Sequence, residues 1–281
     1  MPKSVFRIFT SDGFNAYLRN TTFNRKITTI QNHHTFKPNY SHFNKQDPKY
    51  LTHLEGMRRV HIQERKWSDI GQNITIFPDG KIALCRPIDT MPAGIFGANN
   101  GGICIESIGD FDKGKDVMTP EQKEAILKTN AALCIKFGLQ PVPHHVVYHH
   151  WYDTKGKRFS NGDIDSGKIF QRSLQKTCPG SNFFCEPGFS HGNSIECAVA
   201  NFFPLIKKEM DILQQVTTPA ITATVKRVKA DSLNVRSGPG ATFQVIRKLP
   251  QGLQIQVFDT QEKWSKINPT TDEWVSSDFL A

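Results

Sequence analysis

The sequence predicts an α/β domain, with a mixed central β-sheet flanked by helices, followed by a small all-β barrel. Strand-like runs alternate with helix-period segments through residues 1–213, a pattern typical of layered α/β folds. Residues 214–224 lose both charge and periodicity, as linkers do. Residues 225–281 contain short β-type runs with turn signals and no helix-period stretch, which predicts the barrel. A length of 281 residues also favours two domains over one.

The first elements of the α/β domain are a strand, a helix and a hairpin. A β-rich run at residues 27–33 places His33 and His34 at a sheet edge. Residues 54–66 have a helix-like pattern. The segment 73–85 then reads as two strands joined by an aspartate–glycine turn, which predicts a hairpin.

A buried strand and the clearest helix follow. The apolar run at residues 103–108 predicts a strand buried in the sheet, interrupted by one carboxylate, Glu106. Thr119 and the proline after it are typical of the capped start of a helix, and apolar residues at helical spacing continue up to Gly138. A carboxylate inside an apolar strand is disfavoured unless it is paired or functional, so Glu106 is a candidate site residue.

The last part of the domain contains a strand that is followed by two more histidines. Residues 146–148 predict a strand that ends at His149 and His150. An amphipathic stretch over residues 194–213 is expected to break near Pro204, because proline cannot complete the helical hydrogen bonds.

Composition limits the classes of partner. Apolar residues make up 38% of the chain and no apolar run approaches the roughly 18 residues of a membrane helix, so we expect no membrane partner. The net charge of +9 suits an anionic partner such as nucleic acid, a membrane surface or an anionic cell wall, and charge alone does not choose among them. The chain has no helix-turn-helix or aromatic RNA motif, so we expect no nucleic-acid partner.

The N-terminus and the cysteines bear on the compartment. Residues 1–7 have a basic start but lack the apolar core and cleavage site of a secretory signal, which predicts synthesis in the cytoplasm without classical export. The six cysteines have no repeated CxxC spacing and are too few for a disulfide scaffold. Three of them, Cys85, Cys104 and Cys134, are expected to be core thiols. Cys185 and Cys197 could pair in an oxidising environment, which the sequence does not decide.

Three residues offer the ligands of a zinc hydrolase. Such enzymes need three protein ligands from nitrogen, sulfur and carboxylate donors, which leaves the fourth position for water. His33, His149 and Cys178 can supply them, because each lies at a strand end or in the adjoining loop. No single spacing among them is diagnostic.

Taken in order, the motifs of residues 25–182 resemble the type-2 amidase family, which includes phage amidase lysins, bacterial autolysins and peptidoglycan recognition proteins. The resemblance rests on Ile30-Gln31-Asn32-His33-His34-Thr35, Trp67-Ser68-Asp69-Ile70-Gly71, Asp79-Gly80, Arg86, Ile103-Cys104-Ile105-Glu106, His149 and Cys178-Pro179-Gly180. It implies an amidase-2 type fold that hydrolyses the amide bond between N-acetylmuramic acid and L-alanine in peptidoglycan.

The resemblance also implies a metal site with one Zn²⁺ per chain. His33, His149 and Cys178 match the family ligands. The first member of each histidine pair is the match, which leaves His34 and His150 as neighbours, although each pair is ambiguous by one residue. A further pair at residues 144–145 precedes its strand and should lie at the wrong end of it.

Two departures from the family pattern affect the catalytic residues. Many members have a tyrosine directly after Asp-Ile-Gly, where this chain has Gln72, and members without that tyrosine resemble this chain in using a glutamate, here Glu106. Lys176 occupies the family position for a residue that stabilises the oxyanion. The insertion at residues 151–175 is longer than usual, and we expect it to extend the substrate cleft or its rim.

Residues 225–281 resemble the bacterial SH3-like domain. The run from Leu233 to Gly240, Leu-Asn-Val-Arg-Ser-Gly-Pro-Gly, carries the resemblance. It implies tethering to peptidoglycan, with Trp264 and Trp274 as half-buried barrel residues or ligand contacts.

The combined prediction is a zinc amidase of the phage or prophage endolysin or autolysin type, monomeric, acting at the bacterial cell wall. The principal alternative is a peptidoglycan-binding sensor without catalysis. A cytoplasmic recycling amidase would share the first domain, but it would have no use for a wall-binding module.

Overall fold

The computed structural model describes residues 5–166, 177–185, 189, 191–217, 224–268 and 271–281. The chain divides into two units, Met1–Leu213 and Gln214–Ala281. The first has a mixed α/β architecture and the second is built of β-strands, so the predicted fold class is confirmed. Among the described residues, no helix combines the length and apolarity needed to cross a bilayer.

The first unit is built on a six-stranded sheet of order β1-β4-β3-β5-β2-β6. Its strands are β1 Arg7–Phe9, β2 Thr29–His34, β3 Ile74–Ile76, β4 Ile82–Leu84, β5 Gly102–Ser107 and β6 Val146–Tyr148. Strand β2 pairs in parallel with β5 and β6, and β3 pairs in parallel with β5. Strand β4 is antiparallel to its neighbours β3 and β1, which forms the predicted hairpin and makes the sheet mixed.

The helices lie between these strands and after them. They are α1 Ser11–Asn20, α2 Tyr50–Gln63, α3 Pro120–Phe137, α4 Asn161–Asp165, α5 Ile195–Cys197 and α6 Phe203–Thr217. The start and end of α3 are as predicted: the Thr119 hydroxyl accepts a hydrogen bond from the Gln122 amide, and Gly138 ends the helix at a φ of 66°.

The break predicted in the last helical stretch lies just before its proline. Between α5 and α6 the chain forms a π-helical turn, Ala198–Phe202, and Pro204 follows in the first turn of α6. Proline has no amide hydrogen for the usual helical bond, so a widened turn at this point accommodates its ring.

The sheet presents two different faces, because neighbouring residues of a strand point to opposite sides. Ile30, Ile103 and Ile105 belong to the main core, which also contains buried residues of α1 and α3. A second cluster forms where α2 packs with Ala83 and neighbouring residues near β3 and β4. The pairing of Thr75 with Ala83 and with Glu106 places all three on that second face. Helix α2 covers one part of this face, and the carboxylate lies on another.

The second unit contains a two-stranded sheet, β10-β7, and a five-stranded sheet, β11-β12-β13-β8-β9. The strands are β7 Thr224–Arg227, β8 Ser232–Arg236, β9 Val245–Pro250, β10 Gln254–Val257, β11 Asp259–Gln261, β12 Trp264–Lys266 and β13 Trp274–Ser276. They enclose a separate apolar core of Val228, Leu233, Val235, Leu249, Val257, Val275 and Leu280. Trp264 is half-buried and Trp274 is buried.

A reciprocal pair of buried amides joins β2 to α3. The Asn32 and Asn130 side chains each donate to the other at 3.0 Å. Both residues are almost fully buried, so each amide depends on the other for the hydrogen bonds that it loses from water.

We predict that Asn130→Leu lowers the free energy of unfolding by about 2 kcal/mol, because it leaves the buried Asn32 amide without this partner. The double variant Asn32→Leu/Asn130→Leu should recover most of the loss, since replacing both partners by apolar groups of similar volume removes the unsatisfied group. Urea denaturation of both variants measures the coupling. Additive losses in the double variant would contradict the prediction.

Candidate metal centre

The parallel register brings three of the predicted site residues to one edge of the sheet. His33 on β2 is the register partner of Glu106 on β5. On the other side of β2, Asn32 pairs with Tyr148, the last residue of β6. His149 follows Tyr148 directly and begins a short 3-10 turn, so it lies at the same level as His33.

His33, His149 and Cys178 converge at this edge. One potential ligand atom from each residue lies within 4.8 Å of those of the other two. The two imidazole Nδ1 atoms are 3.1 Å apart. His33 and Cys178 are buried, whereas His149 is half-buried, so the cluster is closed on one side and accessible on the other.

The donor set fits a zinc ion. Two nitrogen ligands at tetrahedral zinc lie about 3.3 Å apart, given Zn–N distances near 2.0–2.1 Å, and the observed separation is close to that value. Two imidazoles and one thiolate are also a set that zinc accepts while leaving a fourth position open. The described residues therefore include a possible His/His/Cys metal site.

The second member of each histidine pair lies beside this cluster. The ring Nδ1 of His34 accepts the Phe111 amide at 3.1 Å, and the His34 backbone N–H points at Cys178 Sγ at 3.4 Å. His150 is fully buried, and its backbone N–H donates to the carbonyl of Cys178 at 2.8 Å. The first member of each pair thus approaches the cysteine through its ring, and the second approaches through its backbone. The residues at 144–145 lie at the opposite end of β6.

Glu106 forms a second group with His33 and Cys104, whose potential ligand atoms also lie within 4.8 Å of one another. Glu106 is half-buried, whereas Cys104 is fully buried. Burial, followed by the charges of Glu106 and Cys178, raises the pKa of the Cys104 thiol well above its ordinary value. Cys104 therefore stays protonated, as expected of a core thiol, and Glu106 is the carboxylate of this group.

A buried polar row continues from Glu106 across the sheet. Thr75 on β3 is the register partner of Glu106, and its hydroxyl accepts the Gln72 side-chain amide at 2.8 Å. Cys85 Sγ lies 3.3 Å from the same hydroxyl, and burial raises the pKa of this thiol to about 12. Gln72, which stands where many family members have a tyrosine, is fully buried, and its Oε1 accepts no hydrogen bond from the described residues.

The segment that carries Cys178 is held by groups distant in sequence. The Asp112 carboxylate accepts hydrogen bonds from the Thr177 hydroxyl at 2.9 Å, the Ser181 amide at 2.8 Å and the Ser181 hydroxyl at 3.0 Å. From another direction, the Asn193 side chain donates to the Thr177 carbonyl at 2.7 Å. Both residues that flank the Cys178-Pro179-Gly180 motif are thereby fixed.

Two other predicted features, Lys176 and the insertion at residues 151–175, lie wholly or partly outside the described residues. Lys176 lies outside the described residues, so its assignment remains a prediction. Within the insertion, residues 151–166 are described: Tyr152 and Arg158 form a β-bridge, and the turn at Gly156 packs closely against Gly97. A Cβ atom on Gly156 would lie 2.0 Å from the Phe96 carbonyl oxygen, so this approach requires glycine.

Arg86 has a structural role, and no cysteine in the described part of the chain forms a disulfide. Arg86 donates to the backbone carbonyls of Ile70 and Met91, and so ties two loops together. All six cysteines lie in described residues and form no disulfide, the pair Cys185 and Cys197 included.

Sequence reasoning missed Asp112 and Asn193. Asp112 had a usable signal, because it follows β5 at the carboxyl edge where parallel sheets gather their functional groups. Asn193 had none, since its partner Thr177 is 16 residues away in a segment without periodicity.

The hydrogen bonds at Asp112 predict a pH dependence of stability. Burial is the largest single effect and would raise the pKa of this carboxyl, but the hydrogen bonds from Ser181 and Thr177 and the charge of His34 together lower it below its ordinary value. A lowered folded-state pKa stabilises the fold above the unfolded pKa of about 3.9, and this contribution is lost as pH falls through the folded value.

We therefore expect the difference in free energy of unfolding between the parent chain and Asp112→Asn to be constant near neutral pH and to shrink below about pH 4. Urea titrations across this range measure the difference. A difference that stays constant into acid would exclude Asp112 as the source.

Comparison with known proteins places both parts of the chain. Residues 23–181 match the family model described as N-acetylmuramoyl-L-alanine amidase, and residues 231–281 match the model described as bacterial SH3 domain. A curated relative, the putative N-acetylmuramoyl-L-alanine amidase YrvJ of Bacillus subtilis (strain 168), is 29% identical over 116 residues. That match covers 34% of this chain and 22% of the relative, so the chain spans about a fifth of the length of that protein.

Solved structures with detectable similarity include an endolysin and a recognition protein. The endolysin N-acetylmuramoyl-L-alanine amidase LysCS from Clostridium intestinale URNW is 22% identical, with 57% of this chain and 78% of that chain covered and a TM-score of 0.39. Drosophila PGRP-LB is 21% identical, with 61% and 87% covered and a TM-score of 0.43. Because the family model spans more than half of its residues, the chain belongs to the N-acetylmuramoyl-L-alanine amidase family and carries a C-terminal bacterial SH3 domain.

Proposed function

We propose that this chain hydrolyses the amide bond between N-acetylmuramic acid and L-alanine in peptidoglycan, with one Zn²⁺ held by His33, His149 and Cys178. The observation that carries the proposal is the convergence of these three ligands beside Glu106 at one edge of the sheet. A metal site with a neighbouring carboxylate is the arrangement that metal-assisted amide hydrolysis needs.

When bound, zinc supplies a Lewis acid that polarises the amide carbonyl and makes water more acidic. The chain's own residues prepare the ligands for it. Cys178 must be a thiolate to bind the metal, and the backbone N–H of His34, 3.4 Å from its sulfur, favours the anionic form. The half-buried His149 leaves one side of the site accessible to substrate.

Glu106 acts as the general base and then as the general acid. Its carboxylate takes the proton from the attacking water as the oxygen–carbon bond forms at the lactyl amide carbonyl. It then returns that proton to the nitrogen of L-alanine as the carbon–nitrogen bond breaks, which releases a stem peptide with a free amine. Lys176 would stabilise the negative charge on the carbonyl oxygen between these two steps.

The presence of the second unit is consistent with a substrate that is an insoluble polymer. A bacterial SH3 domain tethered to the catalytic unit would raise the local concentration of enzyme on the wall without changing the chemistry. We propose that the chain acts as a monomer on peptidoglycan, as a phage or prophage endolysin or as a bacterial autolysin.

The first prediction from this proposal concerns the products. Incubation of the full chain with purified peptidoglycan should release stem peptides with free L-alanine amino termini, while the number of glycan reducing ends stays constant. A zinc chelator should stop release, and added Zn²⁺ should restore it. Mass spectrometry of the soluble fraction makes the measurement.

Two other outcomes would identify other functions. Binding to peptidoglycan by the zinc-loaded chain without release of peptides would indicate a sensor, which is the alternative candidate. New reducing sugars would indicate a glycosidase and would overturn the proposed reaction.

The second prediction concerns Glu106. Glu106→Gln removes the base but keeps the size and hydrogen-bonding capacity of the side chain, so turnover should fall by about 10²- to 10⁴-fold. Zinc content should stay at one ion per chain, because the three ligands are unchanged. Glu124→Gln, the same chemical change on the exposed surface of α3, is the matched control and should keep full activity. Undiminished turnover in the Glu106 variant with zinc bound would rule out the assigned role.

A further inference from the structure

The loop that follows β5, residues 109–112, touches both segments that carry metal ligands. On one side it lies against the end of β2: the Phe111 amide donates to the ring of His34 at 3.1 Å, and the Gly109 carbonyl accepts the Phe36 amide at 3.0 Å. His34 is the residue next to the ligand His33, so this side of the loop is anchored to the first ligand segment.

On its other side the loop binds the turn that carries Cys178. The Phe111 carbonyl accepts the Asn182 amide at 2.8 Å. The Asp112 carboxylate receives three hydrogen bonds, one from Thr177 and two from Ser181, at 2.8–3.0 Å. Thr177 directly precedes the ligand cysteine, and Ser181 follows it by three positions.

The backbones of the loop and the turn come into close contact at Gly180. Gly180 has a φ of 122°, and a Cβ atom on it would lie 2.4 Å from the Phe111 carbonyl oxygen. The backbones therefore meet directly at this glycine, so the carboxylate at the next position is held against the turn by main-chain packing.

We infer that Asp112 is a positioning residue for the metal centre. It holds Thr177 and Ser181 so that Cys178 Sγ can bind the same zinc ion as the imidazole nitrogens of His33 and His149. The inference rests on the zinc site assigned in the proposed function. The three ligands come from chain segments far apart in sequence, so the sulfur ligand needs a group that fixes its position. We assign that role to Asp112.

The physical reason is the entropy of ordering the sulfur ligand. The histidines lie in or directly after paired strands, whereas Cys178 lies in a turn outside the sheet. Without the carboxylate, the turn would lose three hydrogen bonds and part of its order, which the metal would then have to restore on binding, so the metal affinity would fall. Loss of an outer hydrogen-bond partner at a metal site typically lowers affinity by about 10- to 100-fold.

The loss should be partial, because the turn has other anchors. Asn193 holds the Thr177 carbonyl at 2.7 Å, and the His150 amide holds the Cys178 carbonyl at 2.8 Å. Both remain when the carboxylate is removed, so the variant should still bind zinc, but more weakly.

The test measures the zinc dissociation constant of the full chain by competition with a chromophoric chelator. Asp112→Ala should weaken zinc binding by about 10- to 100-fold, and Thr177→Val, which removes one of the three hydrogen bonds at nearly constant volume, should weaken it less. Asp153→Ala is the matched control: this carboxylate also accepts two backbone amides, those of Lys155 and Lys157 at 2.8 and 2.9 Å, but in a separate turn. The zinc affinity of this variant should equal that of the parent chain.

Cobalt substitution gives a readout specific to the sulfur ligand. In the Co²⁺-loaded parent chain the thiolate-to-metal charge-transfer absorption reports the bond to Cys178. This band should weaken in Asp112→Ala and stay unchanged in Asp153→Ala, whereas a general loss of fold would affect the thermal unfolding midpoint of the metal-free chain as well. If Asp112→Ala fails to fold, Thr177→Val carries the test alone.

The outcomes separate this inference from the proposed function. If the parent chain does not bind one zinc ion per chain, the zinc site of the proposed function is wrong, and this inference is wrong with it. If the parent binds zinc and both Asp112→Ala and Thr177→Val retain its affinity within twofold and its cobalt spectrum, the positioning role is wrong and the proposed function stands.

Discussion

The candidate site depends on the register of three parallel strands. Strands β5, β2 and β6 lie side by side with their carboxyl ends at one edge, and the pairings of His33 with Glu106 and of Asn32 with Tyr148 set the level of each functional group. Because side chains alternate between the faces of a sheet, a slip of one residue in β2 would turn the His33 ring to the opposite face. The candidate metal cluster can form only in the observed register.

The register is fixed at the opposite end of these strands as well. The Arg25 guanidinium donates to the carbonyls of Asn99 and Gly102, where β5 begins, and the Asn73 side chain accepts the Cys104 amide at 3.1 Å. Burial lowers the pKa of Arg25, a cost that the charge of Asp89 partly offsets. Polar groups inserted at a strand start accept only one alignment of donors and acceptors, so they specify register more sharply than apolar contacts do.

The sequence predicted those features that depend on local pattern. The strand carrying His33, the hairpin after residue 73 and the capped helix beginning at Pro120 all follow from periodicity, turn residues and caps. Ligand chemistry offered Cys178 together with the two histidines, but only the resemblance assigned them as a set, because the segment of Cys178 has no periodic pattern to place it. The contacts of Asp112 were beyond reach for a related reason: its partners lie 65 and 69 residues further along the chain.

The position of Gln72 shows another limit of local pattern. The sequence indicated only that a family tyrosine is missing here, whereas the structure shows that the glutamine side chain is directed into the buried row formed with Thr75. A tyrosine carries its hydroxyl further from the backbone than a glutamine amide reaches, and in the proposed reaction the proton-transfer group is instead Glu106 on β5. Thr75 pairs with Glu106 on the neighbouring strand, so the glutamine stabilises the row beside the carboxylate rather than reaching the metal cluster itself.

One short stretch of chain connects the proposed base to the candidate metal ligands. Glu106 lies near the end of β5, and six residues later Asp112 holds the turn that carries Cys178. Between them, the Phe111 amide binds the ring next to His33. A displacement of β5 would therefore move the proposed base, the support of the candidate sulfur ligand and the neighbour of the first histidine together. Their mutual distances are set by this stretch, and for that reason a mixed sheet with short strands can keep a precise site at its edge.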